Sequence, residues 1–475
     1  MNDFETIIGL EVHAQLSTES KIFCSCSTEF NSPPNTNICP VCCGYPGVLP
    51  VFNQKVLELA VRVSIALGCR INRTIYFERK NYFYPDLPKN YQISQYKMPL
   101  GQGGHLALPE GREIRINRVH MEEDAGKLIH KEGYSLVDFN RTGMPLLEIV
   151  SEPDIKSPQE AFEYLNQLKL ILKYIGASDC DMEKGSLRCD ANISLRPAGQ
   201  TEFGTKVELK NMNTFRGVRA ALEYEVKRQT AALNRGEAII QETRLWDSQK
   251  MASAIMRTKE EAHDYRYFPE PDLVDFFISD ECIDKEKSFV GEMPLEKQKR
   301  FRSDYGLTEK DIDVYLLNPR LALFFEEVVR YYSNPREVSN WVLGPLLEQV
   351  NALKSNFETV KISAANFSKV VKYFHEGKLN NLTAKKALAL SIETNEDIDE
   401  IILSQNLAQV SSQEELAVFV KESIEQNPKA VTEYYQGKKE SLQFLMGQVM
   451  KKTRGKANPK IAKELLEEVL KNNRP

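Results

Sequence analysis

The residues Ile7-Ile8-Gly9-Leu10-Glu11-Val12-His13-Ala14-Gln15-Leu16 repeat with a period of two. Ile8, Leu10, Val12, Ala14 and Leu16 share one face, and Ile7, Gly9, Glu11, His13 and Gln15 share the other. That period belongs to a half-buried strand. Two later stretches repeat the pattern. Leu187, Cys189, Ala191, Ile193 and Leu195 oppose Arg188, Asp190, Asn192, Ser194 and Arg196, and Val207 and Leu209 oppose Lys206, Glu208 and Lys210. Antiparallel sheets commonly bury one face and leave the other wet. These wet faces carry carboxylates, imidazole, amides and cations together, which is more than solubility needs.

Helices are expected among the strands. Ser157-Pro158 with Glu160 three residues beyond the serine is a helix-start pattern. The stripe Phe162, Leu165, Leu168, Leu172, Ile175 follows, and Gly176 ends it. A second helix is expected from about Arg216 to Arg235, before Gly236, and both are read as packing on the sheet. Gly101-Gln102-Gly103-Gly104, between two strand-like runs, reads as a hairpin turn. From about residue 295 the pattern is almost wholly helical, as in 322–329 and 461–470. The fold class is therefore α+β followed by all-α. Gly291-Glu292-Met293-Pro294 is the expected joint, and the stretch 391–411, rich in Ser, Thr, Asn and acids, a softer one. The expected domains are 1–293, 294–408 and 409–475.

The 475 residues suffice for two to four domains at roughly 100–200 residues each. Apolar residues are 42% and charged residues 27%, which excludes bulk disorder. Lys and Arg number 62 against 67 Asp and Glu, a net charge of −5, so any nucleic-acid contact must be local. No apolar run is long enough to span a membrane, and Asp3 and Glu5 stand where a secretory signal carries cations. A cytoplasmic setting is expected.

Five of the nine cysteines, Cys24, Cys26, Cys39, Cys42 and Cys43, fall within twenty residues. In a reducing compartment such a cluster points to metal before disulfides. Cys24, Cys26, Cys39 and Cys42 supply the four thiolates of a closed, structural zinc site. Cys43 could exchange with Cys42, and free thiols or a redox pair are the alternatives.

Carboxylates recur in Glu11-Val12-His13, in His120-Met121-Glu122-Glu123-Asp124, and at Glu148, which interrupts an apolar strand with Glu152 close behind. A carboxylate among Leu, Ile and Val is costly unless paired or metal-bound. Carboxylates with one imidazole suit Mg²⁺ handling a phosphate. Salt-bridged surface acids are the alternative. No P-loop or dinucleotide fingerprint exists. Nucleotide binding would then use sheet-face cations: Arg79 to Asp86, with Lys80, Asn81 and Tyr82, and the pair Lys206 and Lys210. A plain solvated face is the alternative there too.

Five strings carry a family resemblance: Ile8 to His13, Arg79 to Asp86, His120 to Lys127, Gly185 to Asn192, and Asp264 to Asp272. Over essentially its whole length the chain resembles the B subunits of bacterial tRNA-dependent amidotransferases. The resemblance implies an N-terminal cradle of the glutamine synthetase and guanidino kinase type, with helical and tail domains after it. It implies a ligase reaction: ATP phosphorylates the side-chain carboxylate of Glu-tRNA(Gln) or Asp-tRNA(Asn), and ammonia displaces phosphate to give Gln-tRNA(Gln) or Asn-tRNA(Asn). It implies two protein partners: the amidase-type glutaminase, or A subunit, and the small C subunit. By motif matching, Glu11, His13, Glu123 and Glu148 form the Mg²⁺ and catalytic constellation, with Glu152 the rival to Glu148. Some family members carry the four-cysteine zinc site, and this chain has all four thiols.

The segment Phe444 to Pro459 resembles the family's C-terminal motif. Residues 451–475 hold eight Lys or Arg against three Glu, a local basic surface suited to a phosphate backbone. Two other readings exist: a non-enzymatic tRNA-binding scaffold, and a free-standing amide ligase for small molecules. A scaffold has no use for converging carboxylates, and the basic tail opposes the small-molecule ligase.

Overall fold

The computed structural model describes residues 4–258, 264–354, 357–409, 413–438, 440–453 and 455–472. Arg454 and Arg474 of the basic tail and residues 410 and 411 of the softer joint lie outside them. The chain divides into two compact units, Met1–Lys297 and Gln298–Pro475.

The first unit is mixed α and β. Its strands are β1 (Phe4–Gln15), β2 (Arg70–Ile71), β3 (Thr74–Ile75), β4 (Glu78–Asn81), β5 (Tyr91–Ser94), β6 (Gly101–Ala107), β7 (Glu113–Glu123), β8 (Lys127–Lys131), β9 (Tyr134–Asp138), β10 (Pro145–Ser151), β11 (Leu187–Pro197), β12 (Val207–Lys210), β13 (Glu242–Asp247), β14 (Ala252–Thr258), β15 (Phe268–Pro269) and β16 (Phe276–Phe277). Nine form one sheet in the order β14-β13-β12-β11-β1-β10-β7-β6-β2. Every pair in it is antiparallel except β12 with β13. A three-stranded sheet, β15-β4-β5, and the pairs β16-β3 and β8-β9 complete the unit.

The period-two strands fall where their pattern puts them. Leu10, Val12, Ala14, Leu187, Ala191 and Leu209 are buried in one apolar cluster. Helices α1 (Gln54–Ala66), α2 (Pro158–Tyr174) and α3 (Phe215–Asn234) supply Val56, Leu59, Leu165, Leu168, Val218 and Leu222 to that cluster. The apolar face of the sheet is therefore sealed by helices, and chemistry is left to the other face. The Ser157 side chain caps α2 at the Glu160 amide (3.1 Å). Thr214 caps α3, which starts one residue earlier than expected.

Gly101-Gln102-Gly103-Gly104 is not a hairpin turn. All four residues lie in β6. A Cβ on Gly104 would fall on the Leu67 carbonyl oxygen and the Cys69 sulfur. Glycine stands there because the end of α1 crosses the strand at backbone contact, not because the chain reverses.

The second unit is helical. Its helices include Pro319–Tyr331 and Pro459–Asn472, over both stretches where the apolar periodicity is helical. Leu416, Val420, Leu445, Val449, Ala462, Leu466 and Leu470 form a separate apolar cluster toward its C-terminal end. Among the described residues no helix is long and apolar enough to cross a membrane.

Candidate active site

Register builds the site. His120 of β7 faces Glu148 of β10, Glu148 faces His13 of β1, and His13 faces Arg188 of β11. Residues level across a sheet share a face, so one row carries imidazole, carboxylate, imidazole and guanidinium. Glu122 lies two residues beyond His120 on that face. His13 Nε2 is 3.4 Å from Glu122 Oε1 and 3.4 Å from Glu148 Oε2. His120 Nε2 is 3.1 Å from Glu148 Oε2 and 3.8 Å from Glu122 Oε2. Ser94 Oγ at the end of β5 donates to Glu122 Oε2 (3.3 Å).

Burial and charge work against each other here. Burial alone would drive His120 neutral, but Glu148 and Glu122 outweigh it and push its imidazole up to about 9. His13 is raised too, burial again being outweighed by Glu148 and Glu122. Glu148 is held well below the carboxylate range, because the two imidazoles overcome the cost of its burial. Glu11 sits two residues along β1 and accepts from Asn192 Nδ2 (2.9 Å). Burial, and then the Glu148 charge, raise its carboxyl. The neighbouring ion pairs are Asp190 with Lys210, Lys210 with Glu208 (3.0 Å), and Asp124 with Arg188.

Ligand atoms of His13, Glu122 and Glu148 all lie within 4.8 Å of one another. Two near-buried carboxylates and one imidazole fit a hard divalent cation. Glu11 belongs to the next row and is not in this group. Glu123 is turned away from it. Adjacent residues on a strand point to opposite faces, so Glu122 and Glu123 cannot both reach His13. Glu123 instead accepts from the Ile93 amide (2.8 Å) and pairs with Lys89. Glu152 lies outside the group as well, its carboxylate accepting from Asn117 (2.7 Å). Sequence reading names His120 and Glu122 only within the acidic string and gives the metal role to Glu123, with Glu122 its alternative. Counting by two from Arg118 places His120 and Glu122 on one face; the register that makes it the working face is a tertiary fact.

The basic residues divide similarly. Lys80 Nζ sits 5.0 Å from the centre of the Tyr265 ring, and its charge helps hold Glu122 down after burial and the imidazoles have acted. Tyr82 meets Tyr265 edge to face at 5.9 Å. Asn81 is absorbed by backbone, donating to the Arg266 carbonyl (2.9 Å). Lys210 is inside the polar row system through Asp190. Lys206 lines a cavity of about 210 Å³ with Gly9, Ser151, Asn192 and Phe203.

The thiols form a second centre. Sulfurs of Cys24, Cys26, Cys39 and Cys42 lie within 4.8 Å of one another, close enough for one tetrahedral ion. Cys43 is not in the group. The Cys42 thiol is pushed down to about 4 by a hydrogen bond from Cys24, with the Cys39 amide and Lys21 adding to it. The Cys24 thiol is pushed up by the same bond. The set is four soft donors with no open position, which fits a structural metal.

Residues 6–284 match the family model described as the GatB/GatE catalytic domain, and residues 323–470 match the GatB domain. The chain is 48% identical to the aspartyl/glutamyl-tRNA(Asn/Gln) amidotransferase B subunit of Carboxydothermus hydrogenoformans, over 99% of each chain. It is 49% identical to the protein of that name from Thermodesulfovibrio yellowstonii, over 98% of this chain and 99% of the relative. The figure for the Clostridium beijerinckii protein is 51%, over 98% and 99%. The chain belongs to the family of aspartyl/glutamyl-tRNA(Asn/Gln) amidotransferase B subunits.

Proposed function

We propose that this chain is the transamidating subunit of a multi-subunit tRNA amidotransferase that acts on Glu-tRNA(Gln), Asp-tRNA(Asn) or both. Its first domain, 1–293, is then a cradle of the glutamine synthetase and guanidino kinase type. ATP and the misacylated 3′ end meet there on the polar face of the nine-stranded sheet. A carboxylate is a poor electrophile for ammonia, so its oxygen is first phosphorylated. Ammonia, released from glutamine by the amidase-type glutaminase of the complex, then displaces phosphate. The small C subunit completes the complex, and the setting is cytoplasmic.

The observation that carries the reading is the convergence of His13, Glu122 and Glu148 on one sheet face. Mg²⁺ held by these three would neutralise phosphate charge during transfer, which is chiefly a matter of positioning and electrostatics. Without metal, the His120 and His13 imidazoles outweigh burial and hold the Glu148 carboxyl well below its ordinary range. His120, bridging Glu148 and Glu122, orients both carboxylates. Lys80 supplies cationic charge beside Glu122, while the charge of Lys210 is met by Asp190 and Glu208. Zinc on Cys24, Cys26, Cys39 and Cys42 would fix the 24–42 loop. The helical domain 294–408 leads to the tail 409–475, which holds tRNA through its basic C-terminal residues. The test is aminoacyl phosphate formation from ATP by the reconstituted complex given misacylated tRNA. A complex that converts Glu-tRNA(Gln) and Asp-tRNA(Asn) no faster than buffer does would sink the reading.

A further inference from the structure

The tyrosines around the site are not used by the account above. Tyr96 and Tyr267 are stacked face to face, ring centres 4.4 Å apart and planes at 11°. Tyr267 continues edge to face into Tyr265 (6.2 Å). Tyr96 is 54% exposed, so the ring has a bare side. A large aromatic held flat against another and open to solvent is ready to receive a third planar group.

Its place in the chain puts it beside the chemistry. Ser94 touches Glu122, and Gln95 Oε1 accepts from the Met121 amide (3.0 Å). Tyr96 is the next residue, two on from Ser94, in the bend that follows β5. Its backbone is fixed as well. The fully buried Glu78 carboxylate accepts from the Tyr96 amide (2.8 Å) and the Lys97 amide (2.8 Å). The ring is thus held from below by Tyr267 and along the backbone by Glu78, as a binding platform needs.

We propose that the Tyr96–Tyr267 stack is an adenine-binding platform at the mouth of the His13–Glu122–Glu148 site. The proposal rests on the function above, whose two substrates each carry one adenine: the terminal nucleoside of the aminoacyl-tRNA, and ATP. Either base presents a π-face and is tethered to the group that reacts. Base–aromatic stacking is worth about 1–3 kcal/mol per base, or about 5- to 150-fold in affinity.

The test uses the whole reconstituted complex carrying Tyr96→Leu, Tyr96→Phe or Tyr96→Trp. KM for ATP and KM for aminoacyl-tRNA are measured separately, with the thermal midpoint as a folding control. Tyr96→Leu is expected to raise one KM about 5- to 150-fold while kcat at saturation changes little. The substrate whose KM moves is the one whose adenine stacks. Tyr96→Phe and Tyr96→Trp keep the face and should keep both KM values. An unchanged pair of KM values in the Leu variant overturns the proposal. So does a Phe variant as impaired as Leu, since the hydroxyl rather than the ring would then matter. A wild-type complex without transamidation would instead count against the function on which the platform rests.

Discussion

Glu122 and Glu123 are neighbours on β7 with opposite fates. The first joins two imidazoles and a second carboxylate; the second is buried beside Lys89. Charge and burial are nearly the same, so only side-chain direction separates them. The motif string His120 to Lys127 contains both, and a string cannot choose between faces. Position on the strand chooses. Cys42 and Cys43 divide in the same way, one among four converging sulfurs and one outside. Cys42→Ser should therefore lower zinc content from about one per chain toward zero, while Cys43→Ser keeps it. Elemental analysis of the purified variants, with thermal midpoints alongside, checks this. Equal zinc loss in both would contradict the division.

At the scale of elements, two close approaches are exposed to test. Gly104 lets the α1 turn cross β6, and Gly104→Ala should cost about 1–3 kcal/mol because its Cβ meets backbone rather than a side chain that can swing away. Denaturant unfolding measures it. Asp154 ties β7 to the chain leaving β10, accepting from Arg115 Nε (2.8 Å) and Arg115 Nη2 (2.7 Å). Arg115 holds the Asp154 carboxyl below its ordinary range. A depressed carboxyl stabilises the fold above its unfolded pKa and loses that stabilisation as pH falls through the folded pKa. Asp154→Asn should thus be about 1 kcal/mol less stable at pH 7, a small figure because Arg115 is largely exposed, and should converge with wild type in acid. A deficit independent of pH would mean that packing, not charge, is lost. Much at this scale is legible in sequence. The period-two faces of β1, β11 and β12 and the serine cap of α2 follow from local chemistry. The glycine run in β6 reads as a turn from sequence alone, because a tertiary crossing and a hairpin both call for glycine. Such a reading cannot choose between Glu122 and Glu123, because strand register is set between segments far apart in the chain.

At the scale of the whole molecule, the mixed unit brings His13, Glu122 and Glu148 together on a sheet face, and the helical unit has its own apolar cluster and a C-terminal sequence rich in Lys and Arg. Removing residues 409–475 should weaken tRNA binding and flatten its salt dependence, since fewer counterions are released, and should leave the unit Met1–Lys297 folded. Filter binding across a salt series, with full-length and shortened complexes, reads both; equal affinity and slope would move the RNA grip elsewhere. The central claim is that His13, Glu122 and Glu148, not Glu123, hold the metal that serves phosphoryl transfer. Its most direct test is aminoacyl phosphate formation by complexes carrying Glu122→Gln, Glu148→Gln or Glu123→Gln, with Mn²⁺ titrated calorimetrically into the same samples. The account predicts a loss on the order of 10²-fold, about 2.7 kcal/mol of barrier, with weakened Mn²⁺ binding, for the first two. It predicts metal binding and activation within a few-fold of wild type for Glu123→Gln. Wild-type activation in Glu122→Gln, with loss of metal in Glu123→Gln, would contradict it.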